Sequence, residues 1–263
     1  MNEALGWPTH YWAYVGDAGQ RADKGIMRET PWPLFVNGRE WLTMMATPTQ
    51  LERLAVGFLY NEGVIASLDE LLSVRICEHP AAIIDVRLVG DRALPAKRTL
   101  TSGCGGGITF GELAESRPPL PVRTLWQPAT IYAGMSNLLA TVADDYRAVG
   151  GFHSSAWVDG DGAVRVVAND VGRHNTIDKL AGAVLLHQID LRGLFLVSTG
   201  RISSEMITKA AGLGVEMVVS RNSPTATTVQ LARAWQITVI GYCRGQRMHV
   251  YSAPERLAMP RSH

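Results

Sequence analysis

The sequence predicts an α/β protein in which a smaller α+β lobe precedes an α/β lobe. The main observation is an alternation over residues 194–242, where short runs of Val, Leu and Ile are separated by helical segments of about ten residues. Such an alternation is typical of β-α-β crossovers in a largely parallel sheet that is covered on both faces. A second observation is the proline-rich segment 116–128, which has neither a helical nor a strand period and is therefore a candidate linker.

The composition is that of a packed globular protein. Of the 263 residues, 46% are hydrophobic and 19% are charged, which excludes a disordered low-complexity chain. The three cysteines, Cys77, Cys104 and Cys243, cannot all pair within one chain, and this favours a reducing compartment. Residues 1–20 contain no apolar run typical of a signal peptide, and no stretch of the chain is long enough to span a bilayer. We therefore expect a cytoplasmic protein without a membrane partner.

The net charge of +1 gives no global reason to expect a nucleic-acid partner. The sum hides an asymmetry, however. Residues 1–164 carry 13 basic and 18 acidic side chains, or −5, whereas residues 165–247 carry 10 and 5, or +5, and the remaining residues add +1. A ligand that carries several phosphates would be attracted to a basic surface in this second region.

The N-terminal part is predicted to contain an arm and a small α+β lobe. Residues 1–26 show no clear period and are expected to form a loop or a loosely docked arm. In the lobe, over residues 27–125, Asn37-Gly38 predicts a type I′ turn in a hairpin over residues 34–42. Two further strands are predicted at residues 74–77 and 83–88.

A helix with clear start and stop signals follows this hairpin. Thr47 is expected to be its N-cap, with Pro48 at the first helical position and Gln50 completing a capping box. Gly63 is expected to end the helix. Its predicted apolar face consists of Leu51, Leu54, Ala55, Phe58 and Leu59.

The second lobe, over residues 126–263, is predicted to begin with a helix over residues 129–147. A hairpin with strands at 154–158 and 163–168 follows. The later predicted helices lie at residues 175–187, 203–211 and 225–235, and the later strands at 194–197, 215–219 and 237–242.

The most unusual segment is Thr-Ser-Gly-Cys-Gly-Gly-Gly over residues 101–107, in which four glycines surround Cys104. Such a backbone holds neither a helix nor a central strand, so the thiol is expected on an open loop. This placement suits a nucleophilic or sulfur-carrying cysteine, because a bulky partner must reach the sulfur. The alternative is a turn in which the cysteine is incidental.

The sequence around the other two cysteines gives less information about their roles. Cys77 is expected to be a core residue of a strand, while core and site-lining roles are equally compatible with Cys243. Because the sequence contains no Cys-x-x-Cys and its cysteines lie far apart, we expect no structural metal.

Two polar clusters are candidate binding sites. His153 lies in Gly-Gly-Phe-His-Ser-Ser, and Asp170, Arg173 and His174 lie in Asn-Asp-Val-Gly-Arg-His-Asn, where a strand ends and a helix begins. Ligands of α/β sheets bind at such junctions, and helix N-termini offer free N–H groups to anions. Asp170 could instead simply cap the helix, but capping leaves Arg173 and His174 unexplained.

A third candidate follows the last predicted strand. It consists of Tyr242, Cys243, Arg244, Gly245, Gln246 and Arg247. A glycine between two arginines after a parallel strand suits a phosphate site, because guanidinium groups bind paired oxygens. A solvated turn is the alternative, since no phosphate-loop motif is present.

Several segments occur together in the order and spacing of one family. They are Asn37-Gly38, Leu54–Leu59 with Glu62-Gly63, Ser102–Gly105, Gly150–His153, Asp170–Asn175 with Asp178-Lys179, Gly200-Arg201 with Glu205, Ser223–Thr225 and Gly241–Arg244. Over roughly residues 25–255 the chain thereby resembles the formate dehydrogenase accessory sulfurtransferase (FdhD) family. Each segment alone is a weak signal, whereas Asp-Val-Gly-Arg-His-Asn in register with the others is a strong one.

The resemblance implies a sulfur carrier. In that family a cysteine desulfurase passes sulfur to the loop cysteine as a persulfide. The accessory protein then delivers it to the molybdenum cofactor, bis-molybdopterin guanine dinucleotide, before the cofactor enters formate dehydrogenase. The resemblance also implies a homodimer, a C-terminal lobe similar to the cytidine deaminase fold, and a site that accepts guanine nucleotides such as GDP.

By the same resemblance, Cys104 matches the persulfide-carrying cysteine and residues 242–247 match the cofactor-binding stretch. His153, Asp170, Arg173 and His174 match polar positions around the guanine nucleotide or the sulfur path. One departure is Gly107, because many family members have a second cysteine there in Cys-Gly-x-Cys. Either one cysteine suffices, which we favour, or Cys243 assists, or the activity is lost or changed.

Two other functions compete with sulfur transfer. A chaperone that binds the molybdenum cofactor without sulfur chemistry would also use the basic region and would not need a second loop cysteine. A zinc-dependent nucleotide deaminase or hydrolase would need His-x-Glu and Pro-Cys-x-x-Cys, and neither occurs in the sequence.

Overall fold

The computed structural model describes residues 5–78, 82–92, 94 and 117–258. These residues form three β-sheets and six α-helices. The strands are β1 (Gly6–Val15), β2 (Ala18–Met27), β3 (Thr30–Val36), β4 (Arg39–Ala46), β5 (Leu71–Cys77), β6 (Ile83–Leu88), β7 (His153–Val158), β8 (Val164–Asp170), β9 (Phe195–Ser198), β10 (Met217–Ser220), β11 (Thr238–Arg244) and β12 (Arg247–Ser252). The helices are α1 (Leu51–Asn61), α2 (Pro128–Thr141), α3 (Ala143–Ala148), α4 (Arg173–Leu186), α5 (Ser204–Gly212) and α6 (Ala226–Ala234).

Over the described residues the N-terminal arm is a β-hairpin, so of the two forms predicted for residues 1–26, a loop or a loosely docked arm, the loop was wrong. β1 and β2 pair antiparallel over their whole length, from Gly6 opposite Met27 to Val15 opposite Ala18. Gly16 opens the two-residue turn with a φ of 58°, which a glycine adopts at no steric cost. The hairpin has no alternating pattern because both of its faces are largely exposed.

The smaller lobe is a four-stranded sheet, in the order β4-β3-β6-β5, that packs against α1. The predicted turn at Asn37-Gly38 is confirmed, since both residues have positive φ, 49° and 81°. The predicted apolar face of α1 is buried, and Gly63 follows the helix end with a φ of 70°. The predicted cap at Thr47 was wrong, because the N-cap is Gln50, whose φ is 52°.

The larger sheet has six strands in the order β12-β11-β10-β9-β7-β8. Only β9, β10 and β11 run parallel to one another, so the expectation of a largely parallel sheet was wrong. Hairpins place antiparallel strands on both sides of these three, β7 and β8 on one side and β12 on the other. The predicted helix over residues 129–147 is divided at Val142 into α2 and α3.

Helices cover both faces of the larger sheet. α2 packs on one face, in a core that includes Ile131 and Phe195. α4, α5 and α6 pack on the other, in a core that includes Ile177, Ile207 and Leu231. This arrangement brings the starts of α4 and α5 to the edge where β9, β10 and β11 end.

α1 joins the two sheets by crossing α4 at very short range. A Cβ at Gly57 would lie 1.8 Å from the carbonyl oxygen of Asp178, and one at Gly182 would lie 1.9 Å from that of Arg53. At this crossing only glycine lets the two backbones come so close.

The boundaries predicted for the lobes stay a prediction. No helix among the described residues is long and apolar enough to cross a membrane.

Candidate functional site

The candidate site lies at the edge of the larger sheet where β9, β10 and β11 end. β7 runs antiparallel to β9, so its first residue, His153, lies at this same edge. His153 is opposite Asp170, the last residue of β8, and α4 begins three residues later at Arg173. Three of the four predicted residues of this region, His153, Arg173 and His174, therefore meet here, with Asp170 beneath them.

Asp170 is fully buried and holds the loop that precedes α4. Its Oδ2 lies 2.7 Å from Nζ of Lys179, which is also fully buried, and accepts a hydrogen bond from the N–H of Thr47. Its Oδ1 accepts from the N–H of Gly172 and from Nδ2 of Asn175, both at 2.8 Å. A carboxylate satisfied in this way positions the backbone of the loop and is not presented to solvent.

Thr47 contributes to the same loop, which explains why it does not cap α1. Its N–H donates to Asp170, and its Oγ1 accepts from the N–H of Val171 at 3.1 Å. Nζ of Lys179 also donates to the backbone oxygens of Asn169, at 2.9 Å, and Thr47, at 3.4 Å. The smaller lobe thus helps to fix the shape of the site.

His174 lies between a hydroxyl and a carboxylate. Its Nε2 is 2.8 Å from Oγ of Ser203, the N-cap residue of α5, and its Nδ1 is 3.4 Å from Oε2 of Glu205. Burial lowers the pKa of His174 to about 4, an effect that Glu205 opposes and Arg173 reinforces. The imidazole is therefore neutral at pH 7. In the tautomer that carries its proton on Nδ1, this N–H faces Glu205 and Nε2 accepts a hydrogen bond from the hydroxyl of Ser203.

A buried lysine fixes Glu205. Nζ of Lys209 lies 2.9 Å from Oε1 of Glu205 and 2.9 Å from Oδ2 of Asp178. Burial would lower the pKa of Lys209, but these two carboxylates raise it instead, so the ammonium stays charged. Asp178 also accepts a hydrogen bond from Nδ2 of Asn61 in α1, at 2.7 Å. The orientation of Glu205 is thus linked to the packing of α1.

Gly200, two residues after the end of β9, leaves room for Arg173 and His153. A Cβ at this position would lie 2.9 Å from Cβ of Arg173 and 3.4 Å from Nδ1 of His153. Burial lowers the pKa of Arg173, and so does the neighbouring guanidinium of Arg201. Burial also lowers the pKa of His153, and the charge of Arg173 adds to this effect. Nε of Arg173 is buried and has no hydrogen-bond partner among the described residues.

Four arginines line this edge, and we call them the arginine edge. They are Arg173, Arg201, Arg221 and Arg244. Arg201 and Arg221 follow the ends of β9 and β10, and Nε of Arg244 donates to the carbonyl oxygen of Arg221 at 3.1 Å. Within the described part of the chain, none of the four forms an ion pair with a carboxylate.

The arginine edge can bind a phosphate-bearing ligand, because guanidinium groups donate paired hydrogen bonds to phosphate oxygens. Arg201 and Arg221 were not among the predicted site residues. The available signal was that each lies within three residues of the end of a buried strand.

The segment over residues 242–247 is the end of β11 and a hairpin turn, not a loop that follows a last parallel strand. β12, which the sequence analysis missed, pairs with β11, and Gly245 opens the turn with a φ of 57°. Arg244, Gly245, Gln246 and Arg247 are exposed. The guanidinium of Arg244 lies 5.9 Å from the ring centroid of Tyr242, whose own φ of 52° marks a bulge.

Cys243 belongs to the core. Its side chain is 1% exposed and lies in the cluster with Ile131 and Phe195. Burial raises the pKa of its thiol to about 11, so the thiol is protonated at pH 7. Cys77 lies half-buried on the edge strand β5, as a free thiol. Cys104 and Gly107 lie outside the described residues, as does the rest of the glycine-rich segment.

A cavity of about 290 Å³ lies at the opposite edge of the larger sheet. Asp190, Arg192 and Leu194, which precede β9, and Glu216, which precedes β10, contribute to its lining. Ligands of α/β sheets bind at the carboxyl ends of the parallel strands. We therefore place the candidate site at the arginine edge and around His174, Ser203 and Glu205, and not at this cavity.

Comparison with known families shows which family this chain belongs to. The sequence profile of the FdhD/NarQ family matches residues 27–258. The chain belongs to the FdhD/NarQ family. The match covers every described element from β3 onward and both parts of the candidate site, and it confirms the resemblance found in the sequence.

Two relatives in this family are named Sulfur carrier protein FdhD. The one from Shouchella clausii (strain KSM-K16) is 34% identical over 267 residues, which cover 98% of this chain and 99% of the relative. The one from Staphylococcus aureus (strain MRSA252) is 37% identical over 236 residues, which cover 87% and 88%. This FdhD/NarQ chain is thus similar to those sulfur carriers over nearly its whole length.

A solved structure shares the same fold. It is described as that of a formate dehydrogenase accessory protein from Desulfotalea psychrophila. The two chains superpose with a TM-score of 0.81 at 26% identity, over 97% of this chain and 100% of the other. The likeness confirms the mixed α/β fold class, while the similarity to cytidine deaminase stays a prediction.

Proposed function

We propose that this FdhD/NarQ protein is a sulfur carrier that serves formate dehydrogenase. It receives sulfur from a cysteine desulfurase as a persulfide on Cys104 and passes it to the bis-molybdopterin guanine dinucleotide molybdenum cofactor before insertion into the enzyme. The names of the two relatives and of the solved structure support this role. We further propose that the protein works in the cytoplasm as a homodimer.

The observation that carries the proposal is the convergence of separate motif segments at one edge of the sheet. Asp170–Asn175, Gly200–Glu205 and the end of β11 are far apart in sequence, yet they meet around the arginine edge and His174. The cofactor proposed as cargo carries phosphates at its guanine nucleotide ends. Guanidinium groups that are free of carboxylate partners suit such phosphates, and Tyr242 offers an exposed aromatic ring beside them.

The loading step needs one reactive thiolate. Cys104 attacks the terminal sulfur of the donor persulfide, a new S–S bond forms on Cys104, and the donor cysteine leaves as a thiolate. The exchange transfers one neutral sulfur atom: Cys104 is oxidised to the persulfide as the donor cysteine is reduced to the thiolate, so no external oxidant is needed. Cys243 is buried and protonated at pH 7, so we favour the interpretation in which the single loop cysteine suffices despite Gly107.

Mass spectrometry tests the proposal directly. After incubation with a cysteine desulfurase and cysteine, we expect one additional sulfur atom on the peptide that contains Cys104, removable by dithiothreitol. Cys104→Ala abolishes the addition, whereas the control Cys77→Ala, at a half-buried strand thiol, retains it. In a cell that lacks its own accessory protein, Cys104→Ala is expected not to restore formate dehydrogenase activity. Full restoration by that variant would contradict the proposal.

Gly107 favours a second candidate, a chaperone that binds the molybdenum cofactor without sulfur transfer. Such a chaperone would use the same arginine edge, and we would then expect no persulfide under any loading condition. Guanine nucleotide binding would then be unchanged by Cys104→Ser, and so would support of formate dehydrogenase. The mass measurement and the rescue assay together separate the two candidates.

A further inference from the structure

The cavity at the opposite edge of the larger sheet has the features of a second binding site. Its volume of about 290 Å³ is close to the lower end of the range for small-molecule sites, roughly 300–1,000 Å³. Its lining combines aliphatic and polar side chains. The aliphatic residues are Val184, Ile189, Leu191, Leu194 and Leu213. The polar residues on which the inference rests are Arg123, Trp126 and Glu216, which we call the polar cluster.

Glu216 offers the cavity a carboxylate oxygen without a partner. The residue is only 9% exposed. Its Oε2 accepts hydrogen bonds from Nε of Arg256 and from the backbone N–H of Arg123, both at 3.3 Å. Its Oε1 has no hydrogen-bond partner among the described residues. A carboxylate oxygen in such a sheltered position favours a ligand that donates an N–H, because water reaches it poorly.

Arg123 and Trp126 supply donors beside this carboxylate. The guanidinium of Arg123 is exposed and forms no ion pair within the described ranges. Nε1 of Trp126 is buried and likewise donates to no described acceptor. Asp190 and Arg192, which also line the cavity, form an ion pair with each other. The donors that remain suit a carboxylate group of a ligand.

A buried arginine fixes the polar cluster in place. Arg256 is fully buried, and its Nη2 donates to the carbonyl oxygens of Leu120 and Pro121, both at 2.9 Å. The backbone N–H of Trp126 donates to the carbonyl oxygen of Arg256, also at 2.9 Å. Because Nε of Arg256 binds Glu216 as well, these contacts hold the proline-rich segment against the start of β10. The polar groups are thus arranged before a ligand arrives, which lowers the entropic cost of binding.

We propose that this cavity binds a free α-amino acid with an apolar side chain, such as leucine. The ammonium group of the ligand donates to Oε1 of Glu216, and its carboxylate binds the guanidinium of Arg123. These two residues are adjacent in space, as the ammonium and carboxylate groups are in an α-amino acid. The apolar side chain of the ligand contacts the aliphatic lining and is thereby removed from water. The inference goes beyond the proposed function and does not depend on it.

Two helices extend from the candidate site to this cavity. α4 begins at Arg173 in the site, and Val184, in its last turn, lines the cavity. α5 begins after Ser203 in the site, and Leu213, which follows its last residue, lines the cavity. An amino acid in the cavity therefore contacts the far ends of the two helices whose first turns lie in the candidate site.

Calorimetric titration of the full chain with L-leucine tests the proposal. We expect saturable binding with a dissociation constant in the micromolar to millimolar range. Arg123→Gln is expected to weaken binding at least about tenfold, because a charge-assisted hydrogen bond is lost. Arg75→Gln, which changes an exposed arginine on β5, is the matched control and should bind leucine like the wild type. Wild type that shows no saturable binding at millimolar leucine overturns the proposal, and so does Arg123→Gln with wild-type affinity.

Two analogues of leucine test the recognition of its charged groups separately. Leucinamide lacks the carboxylate and isocaproate lacks the ammonium group, so each is expected to bind at least about tenfold more weakly than leucine. If isocaproate binds as tightly as leucine, Glu216 recognises no ammonium group and the ligand is not an amino acid. Neither titration involves Cys104 or a guanine nucleotide. Failure of this proposal therefore leaves the proposed function standing, since persulfide formation on Cys104 is measured independently.

Discussion

The imidazole of His174 is held neutral by its surroundings. Burial is the largest cause of its low pKa, and the nearby cations Arg173 and Lys209 add to it, whereas Glu205 acts in the opposite direction. A neutral imidazole accepts protons, and its Nε2 faces the hydroxyl of Ser203 at 2.8 Å. His174 and Ser203 therefore form a neutral hydrogen-bonded pair at this edge, and Glu205 orients the ring.

The low pKa makes the stability of the fold depend on pH. The unfolded chain protonates His174 near pH 6.5 and the folded chain near pH 4, so acidification in this interval favours unfolding. We expect the free energy of unfolding to fall between pH 6.5 and 4, by up to about 3 kcal/mol from this group. His174→Gln removes that part of the dependence. Urea unfolding at several pH values measures it, and His249→Gln, at an exposed position outside the cluster, is the control. An unchanged pH profile in His174→Gln would refute the assignment.

At the scale of elements, the crossing of α1 and α4 decides how the two lobes fit together. Gly57 and Gly182 face the backbone of the opposite helix, and a hydrogen bond from Asn61 to Asp178 extends the contact. A further hydrogen bond joins Tyr60 of α1 to Gly212 of α5. Because Asp178 also binds Lys209, the crossing lies directly beneath the ion pair that orients Glu205.

Gly57→Ala is expected to destabilise the protein strongly. Its Cβ would fall 1.8 Å from a backbone oxygen, which cannot move without separating the helices. We expect a loss of roughly 3 kcal/mol or more, at the upper end of overpacking substitutions. Thermal unfolding measures the loss. Gly160→Ala is the control, because a Cβ there meets nothing within 4 Å, and equal stability of the two variants would show that the helices are not in such close contact.

For the whole molecule, the charge asymmetry of the sequence becomes a localised surface. The region with a net charge of +5, residues 165–247, contains Arg173, Arg201, Arg221 and Arg244. These arginines lie on four different elements or on the loops that follow them, and all four reach one edge of the sheet. The acidic side chains of the same region are largely engaged elsewhere, as Asp170 with Lys179 and Glu216 with Arg256 show. A positive edge therefore remains although the total charge is close to zero.

Binding of GDP, used as a probe for the guanine nucleotide end of the cofactor, is expected to depend on this edge. Arg221→Gln and Arg244→Gln should each weaken binding by roughly tenfold, because a charge-assisted hydrogen bond contributes about 1.5 kcal/mol. Added salt should weaken wild-type binding too. Arg192→Gln, at the opposite edge and paired with Asp190, should have no effect in calorimetric titrations. Equal affinities of all three variants would exclude the arginine edge as the nucleotide site.

Elements with a local signal were predictable from the sequence. The turn at Asn37-Gly38, the buried face of α1 and the strands β6 and β9 depend on neighbouring residues, and all were predicted close to their observed bounds. β1 and β2 were missed because these exposed strands do not alternate regularly between apolar and polar residues. β12 was missed although Arg247–Val250 does alternate, because it is a short edge strand. Gly16-Asp17 and Gly245-Gln246 were the available signals, as both are typical of two-residue hairpin turns.

The sequence by itself determined the family and the α/β class, and it supplied most of the candidate site residues, because these depend on residue types and on their spacing along the chain. Tertiary structure alone decided that Thr47 supports the loop at Asp170, that Cys243 lies in the core, and that Arg201 and Arg221 join the site. The physical reason is that these contacts join residues far apart in sequence. Burial and electrostatic surroundings arise only when the sheets and helices pack together.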